Sequence, residues 1–129
     1  MTTRLPAGKY WIGDLCYILN EENGYDWGRV ARLLIVSGRS GGIFETQGVK
    51  FYIGRTLHGD GCYYDDEWDE NKYGVDSGTI GCVLVDTVNG DWTPTQLGHV
   101  HEIKEEFEPH CDNGLFNIGH VRIDTGDWP

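Results

Sequence analysis

Nineteen of the 129 residues are glycine, and most of them separate short apolar runs rich in β-branched and aromatic residues. Glycine is disfavoured inside helices and tolerates the left-handed backbone of tight turns, so this punctuation favours strands joined by turns. Candidate strands are Gly8 to Ile12, Leu33 to Val36, Ile43 to Thr46, Val49 to Ile53, Thr79 to Val85, His99 to Ile103 and Gly119 to Asp124. Gly38 to Gly42, Asn89-Gly90 and Asn113-Gly114 supply turns between them. One helix is expected over Asp26 to Leu34, where Asp26 caps the first amides and Val30, Leu33 and Leu34 share a face. The sequence thus predicts a mostly β fold, a compact antiparallel sandwich or rolled sheet with one short helix. At this length it should form a single domain over residues 1–129.

Charge is divided unevenly. The net charge is -11. Up to Arg55 seven Lys/Arg face five Asp/Glu; from Thr56 onward three face sixteen, so the second part alone carries -13. Such a field repels phosphates, which argues against direct nucleic-acid binding and against anionic membranes. It suits a divalent cation, a cationic partner, or a protein that itself binds DNA. The opening residues MTTRLPAGKYW lack the apolar core of an export signal. Together with the scattered Cys16, Cys62, Cys82 and Cys111, this predicts reduced thiols and a cytoplasmic location.

The densest chemistry lies in TLHGDGCYYDDEWDENKYGVDSGTIG, residues 56–81, with seven carboxylates and five glycines. Asp65 to Asp76 has the twelve-residue length of an EF-hand loop, but Glu70 stands where that loop needs Gly, and Asp76 where it needs Glu. An EF-hand is therefore excluded. A looser calcium or magnesium loop and a solvated acidic hairpin remain, and the run Asp65 to Glu70 is expected at the surface. Tyr63, Tyr64, Trp68 and Tyr73 interleave with these charges as a candidate recognition surface.

Two further constellations can be written. His99 and His101 alternate on one strand face, with His110, Cys111 and His120 downstream, as potential zinc ligands. Cys16, His120 and Asp124 could form a nucleophile, its base and an orienting acid, although Gly-Asp-Leu-Cys-Tyr-Ile-Leu does not read as a helix start presenting a thiol. No phosphate-binding glycine loop is present, because Gly-Arg-Ser-Gly-Gly lacks the Lys-Ser/Thr ending.

Gly8-Lys9-Tyr10-Trp11-Ile12-Gly13-Asp14-Leu15-Cys16-Tyr17, Gly59-Asp60-Gly61-Cys62-Tyr63-Tyr64-Asp65 and Tyr73-Gly74-Val75-Asp76-Ser77-Gly78-Thr79-Ile80-Gly81 together resemble small uncharacterised proteins of bacteria and their phages. Those proteins carry a Tyr-x-Ile-Gly-Asp-Pro-Cys-Tyr start, a Gly-Asp-Gly-x-Tyr turn and a Val-Asp-x-Gly-x-Ile-Gly strand. Leu15 replaces the Pro of that pattern. The resemblance implies no established activity; it directs attention to Asp14, Asp60 and Asp76, each beside a turn, and allows a phage-borne chain, for which counter-defence, by sequestering a small ligand or occluding a host protein, is the expected setting.

Two function classes follow. In the first, a non-enzymatic binding protein uses Asp14, His58, Asp60, Tyr63, Tyr64, Trp68, Tyr73, Asp76 and Ser77 to engage a partner protein or small-molecule ligand, with nucleic-acid mimicry as a variant and a homodimer permitted by exposed sheet edges. In the second, a metal-dependent hydrolase holds a divalent cation on Asp14, Asp60 and Asp76, with His58 as base.

Overall fold

The computed structural model describes residues 3–66, 71–88 and 97–126. Among the described residues ten strands form: β1 (Gly8–Gly13), β2 (Gly41–Thr46), β3 (Val49–Arg55), β4 (Gly61–Tyr64), β5 (Lys72–Val75), β6 (Thr79–Leu84), β7 (His99–Ile103), β8 (His110–Asp112), β9 (Leu115–Ile118) and β10 (Val121–Asp124). One α-helix, α1 (Trp27–Ser37), and three 3-10 turns complete the elements among the described residues. The fold is mostly β with every strand pair antiparallel, as the glycine spacing predicts.

A five-stranded sheet in the order β2-β3-β6-β1-β7 forms the middle of the molecule, beside a three-stranded sheet β10-β9-β8 and the β4-β5 hairpin. Both faces of the large sheet are covered. Tyr10, Ile12, Tyr52, Ile80 and Cys82 point one way and pack with Tyr63, Tyr73, Phe116, Ile118 and Ile123 of the two small sheets. Trp11, Phe51, Ile53 and Val83 point the other way, onto Leu15, Ile18, Leu19, Tyr25, Val30 and Leu34. Burial on both faces explains why β1, β3 and β6 read as nearly continuous apolar runs rather than alternating ones.

The helix begins where expected: the Asp26 side chain accepts from the Arg29 amide at 3.2 Å. Its end is a correction. Leu33 to Val36, expected as a strand, continues the helix to Ser37, and Gly38 closes it in a left-handed conformation at φ 68°. Val30 and Leu34 bury one helical face while Ile35 and Val36 stay exposed, so 3.6-residue periodicity prevails over the β-branched pair. Four short strands, β4, β5, β8 and β9, lay outside the expected set. Asn113 (φ 50°) and Gly114 (φ 81°) make the tight β8–β9 turn where the sequence signals one. Asn89-Gly90 lies outside the described residues. No helix among the described residues is long and apolar enough to cross a membrane.

Candidate functional site

The three motif segments meet at the end of β1. After Gly13 the chain leaves the sheet and turns through Leu15–Tyr17, with Asp14 as the cap. Asp14 is fully buried. Its Oδ2 accepts from the backbone amides of Asp76 at 2.8 Å and Ser77 at 2.7 Å; its Oδ1 accepts from Ser77 Oγ at 2.7 Å and from the Cys16 amide at 3.0 Å. Because Ser77 gives its proton to Asp14, Thr79 must donate across the 2.6 Å contact between the two hydroxyls. Four donors saturate both oxygens, so Asp14 fastens the β5–β6 turn to the end of β1 and keeps no lone pair for a cation. Leu15, which replaces the proline of the resembled pattern, is buried and packs against Gly81.

Asp60 and Asp76 also converge here, but with exposed side chains. A side chain built on Gly78 would approach Asp60 Oδ1 at 3.9 Å. The loop carrying His58 and Asp60 is tied to the same turn by the Thr56 amide donating to Gly78 O at 3.0 Å and by Thr56 Oγ1 donating to Gly59 O at 2.7 Å. His58 is exposed. Among the described residues no group of three or more His, Cys, Asp or Glu is disposed to hold a metal ion. With Asp14 saturated, the three aspartates form an anchored turn rather than a coordination shell.

Cys16 lies beside this cluster. Burial pushes its thiol well above the ordinary value, and the negative charges of Asp14, Asp76 and Asp60 push it further. That environment opposes the thiolate a nucleophile requires. His120 meanwhile packs edge-on against His101 with ring centroids 6.0 Å apart, and Asp124 accepts from the Gly126 amide. The nucleophile, base and acid expected from the sequence therefore serve separate local structures.

The predicted aromatic surface divides. In the β4–β5 hairpin Tyr63 pairs with Tyr73, and Tyr64 with Lys72. Tyr63 and Tyr73 face inward and are buried, the Tyr63 hydroxyl donating to Gly59 O at 2.8 Å. They are core residues, which corrects their reading as recognition groups. Cys62 and Tyr64 face outward, and Tyr64 is 51% exposed. Leu97, itself partly exposed, lies over Gly74 on this outer face, where a methyl group would meet its Cδ2 at 2.7 Å. Trp68 falls outside the described residues.

Beneath the hairpin is a network that the sequence conceals. Asp65 is buried rather than solvated. Tyr73 donates its hydroxyl proton to Asp65 Oδ2 at 2.5 Å, and Asn71 Nδ2 donates to the same oxygen at 3.1 Å. The tyrosine oxygen lies 2.8 Å from His101 Nε2, so His101 is the donor of that bond and carries its proton on Nε2. His99 shares that strand face, as expected, but its Nε2 is engaged with Lys72 O at 2.8 Å. His110 and Cys111 stand on β8, where the Cys111 thiol donates to Arg55 O. The zinc set is thus dispersed. The one signal that finds Asp65 is alternation: two residues after the inward Tyr63, it shares that face.

No family model, curated protein or solved structure matches this chain.

Proposed function

We propose that the chain is a small non-enzymatic binding protein, and that the outer face of its β4–β5 hairpin engages a cationic surface of a partner protein. What supports this reading is one juxtaposition: Cys62, Tyr64 and Leu97 are presented outward, with exposed Asp60, Asp66 and Asp76 on the adjoining loops. Apolar contact area with a charged surround is the composition of an interface that is steered electrostatically and held by burial. The -13 carried from Thr56 onward supplies the steering field. The resemblance to phage proteins extends the proposal to counter-defence, the partner then being a host protein whose working surface is occluded.

The test is capture from host extract by immobilised wild-type chain, by Tyr64→Ala and by the triple reversal Asp60→Lys, Asp66→Lys, Asp76→Lys, each at low and raised salt. Asp65 is left intact, because its buried carboxylate holds Tyr73. A protein retained by wild type and lost with both variants supports the hairpin face. Retention by both variants sinks it. Retention by Tyr64→Ala alone, with steep salt sensitivity, assigns the surface instead to electrostatic mimicry of a nucleic acid.

A further inference from the structure

On the side of the molecule carrying the helix, α1 and Phe44 of the edge strand β2 border an open groove of about 940 Å³. Leu33, Val36 and Phe44 line it with apolar surface, and Asp26, Arg29 and Arg32 contribute polar groups. Val36 is 75% exposed, and Phe44 is half-buried with its ring 6.3 Å from that of Phe51. Asp26 spends one carboxylate oxygen on the Arg29 amide. Arg29 and Arg32, three residues apart and exposed, sit one helical turn from each other. Among the described residues neither guanidinium has an ion pair or side-chain hydrogen bond.

The two guanidiniums beside an apolar trough make a local cationic site in a chain of net charge -11, within the part up to Arg55 where seven Lys/Arg face five Asp/Glu. Here the helix holds both cations over Leu33 and Val36, each four residues after one of them. Guanidinium forks match planar or tetrahedral oxyanions with paired hydrogen bonds. Its exposed lining is mostly apolar, with Asp26, Arg29, Arg32 and Ser37 as polar members, a mixture that small-molecule sites share.

We infer that this groove binds a single-chain amphiphile with a carboxylate or phosphate head, the head resting on Arg29 and Arg32 and the tail on Leu33, Val36 and Phe44. The free amphiphile is the occupant rather than a bilayer, because the rest of the protein repels an anionic membrane surface. The reading involves other residues than the hairpin face and stands independently of it.

Calorimetric titration with dodecyl phosphate, kept below its micelle concentration, tests the inference on the full chain. Saturable one-site binding is expected. Removing either arginine as Arg29→Gln or Arg32→Gln should weaken it by about tenfold, the double variant more, and Val36→Asp should abolish it. All three positions are solvent-exposed, so thermal unfolding should confirm folded variants. Lys50→Gln, a cation outside the groove, should bind as wild type does. The inference is overturned by absence of wild-type binding, by equal binding of dodecyltrimethylammonium, or by undiminished binding to the double arginine variant. Association with phosphatidic acid vesicles but not with the monomer would also overturn it. So would wild-type dimers that Arg29→Gln/Arg32→Gln dissociates in sedimentation, since they would assign the groove to a second copy.

Discussion

Asp14 shows how one side chain can look functional for a structural reason. An aspartate beside glycine in a recurring motif suggests a ligand, yet here all four of its hydrogen bonds run to groups of its own chain, three of them 62 or 63 residues away. Asp14→Asn would place an amide nitrogen against donors and leave buried N–H groups unsatisfied. A loss of about 2 to 4 kcal/mol in urea unfolding is expected. Asp60→Asn, at an exposed carboxylate of the same cluster, should change stability by less than about 0.5 kcal/mol. Equal effects at the two positions would contradict this division of roles. The thiols permit a second residue-level prediction. Cys62 is exposed, Cys82 is buried and Cys16 and Cys111 lie between, with burial raising the last three. One thiol should therefore react rapidly with Ellman's reagent in the native state, and Cys62→Ser should remove that phase.

At the scale of elements, the turns at Gly38 and at Asn113-Gly114 were legible from their glycines, whereas Gly119 (φ 61°), expected to open a strand, lies in the turn before β10. β1, β3, β6 and β7 could be read because their runs are β-rich and bounded by turns. β4, β5, β8 and β9, each three or four residues long, were not read, although β10, equally short, was. The candidate site was partly legible: the sequence brought Asp14, Asp60, Asp76 and Ser77 to one place, but it could not reveal that Asp14 is saturated or that Tyr73 turns inward onto Asp65. Contact across the fold decides both. Two hairpin glycines separate backbone strain from packing. Gly48 and Gly114 share φ 81°, but a methyl group on Gly48 meets nothing within 4 Å, whereas on Gly114 it would come within 2.6 Å of Leu57 Cβ and Thr125 Oγ1. Gly48→Ala should cost about 1 to 2 kcal/mol from the left-handed backbone alone. Gly114→Ala should exceed it by about 1 to 3 kcal/mol through overpacking. Similar denaturant midpoints for the two variants would count against the packing difference.

Across the whole molecule the central sheet separates two apolar clusters, and each contains groups that titrate only at high pH. Cys82 and Tyr52 lie in the cluster under the small sheets, with Tyr10 beside them; Cys16 borders the helical side through its neighbours Leu15 and Ile18. Burial is the leading cause that raises all four groups above their ordinary values, 9.0 for the thiols and 10.0 for the phenols. The consequence for stability has a definite sign. Below the ordinary thiol value both folded and unfolded chains hold these protons, and the contribution is complete. As pH rises past about 9, the unfolded chain releases thiol protons and then phenol protons while the folded chain retains them, so unfolding becomes progressively easier. Thermal midpoints should accordingly stay level from about pH 7 to about pH 8.5 and fall steeply by about pH 10.5. Cys82→Ala should lower the midpoint throughout, through the lost packing, but flatten its decline between about pH 9 and about pH 10, because that thiol no longer discriminates between the folded and unfolded chains. An unchanged decline in the variant would remove Cys82 as a source of the alkaline transition and leave it to Cys16 and the tyrosines.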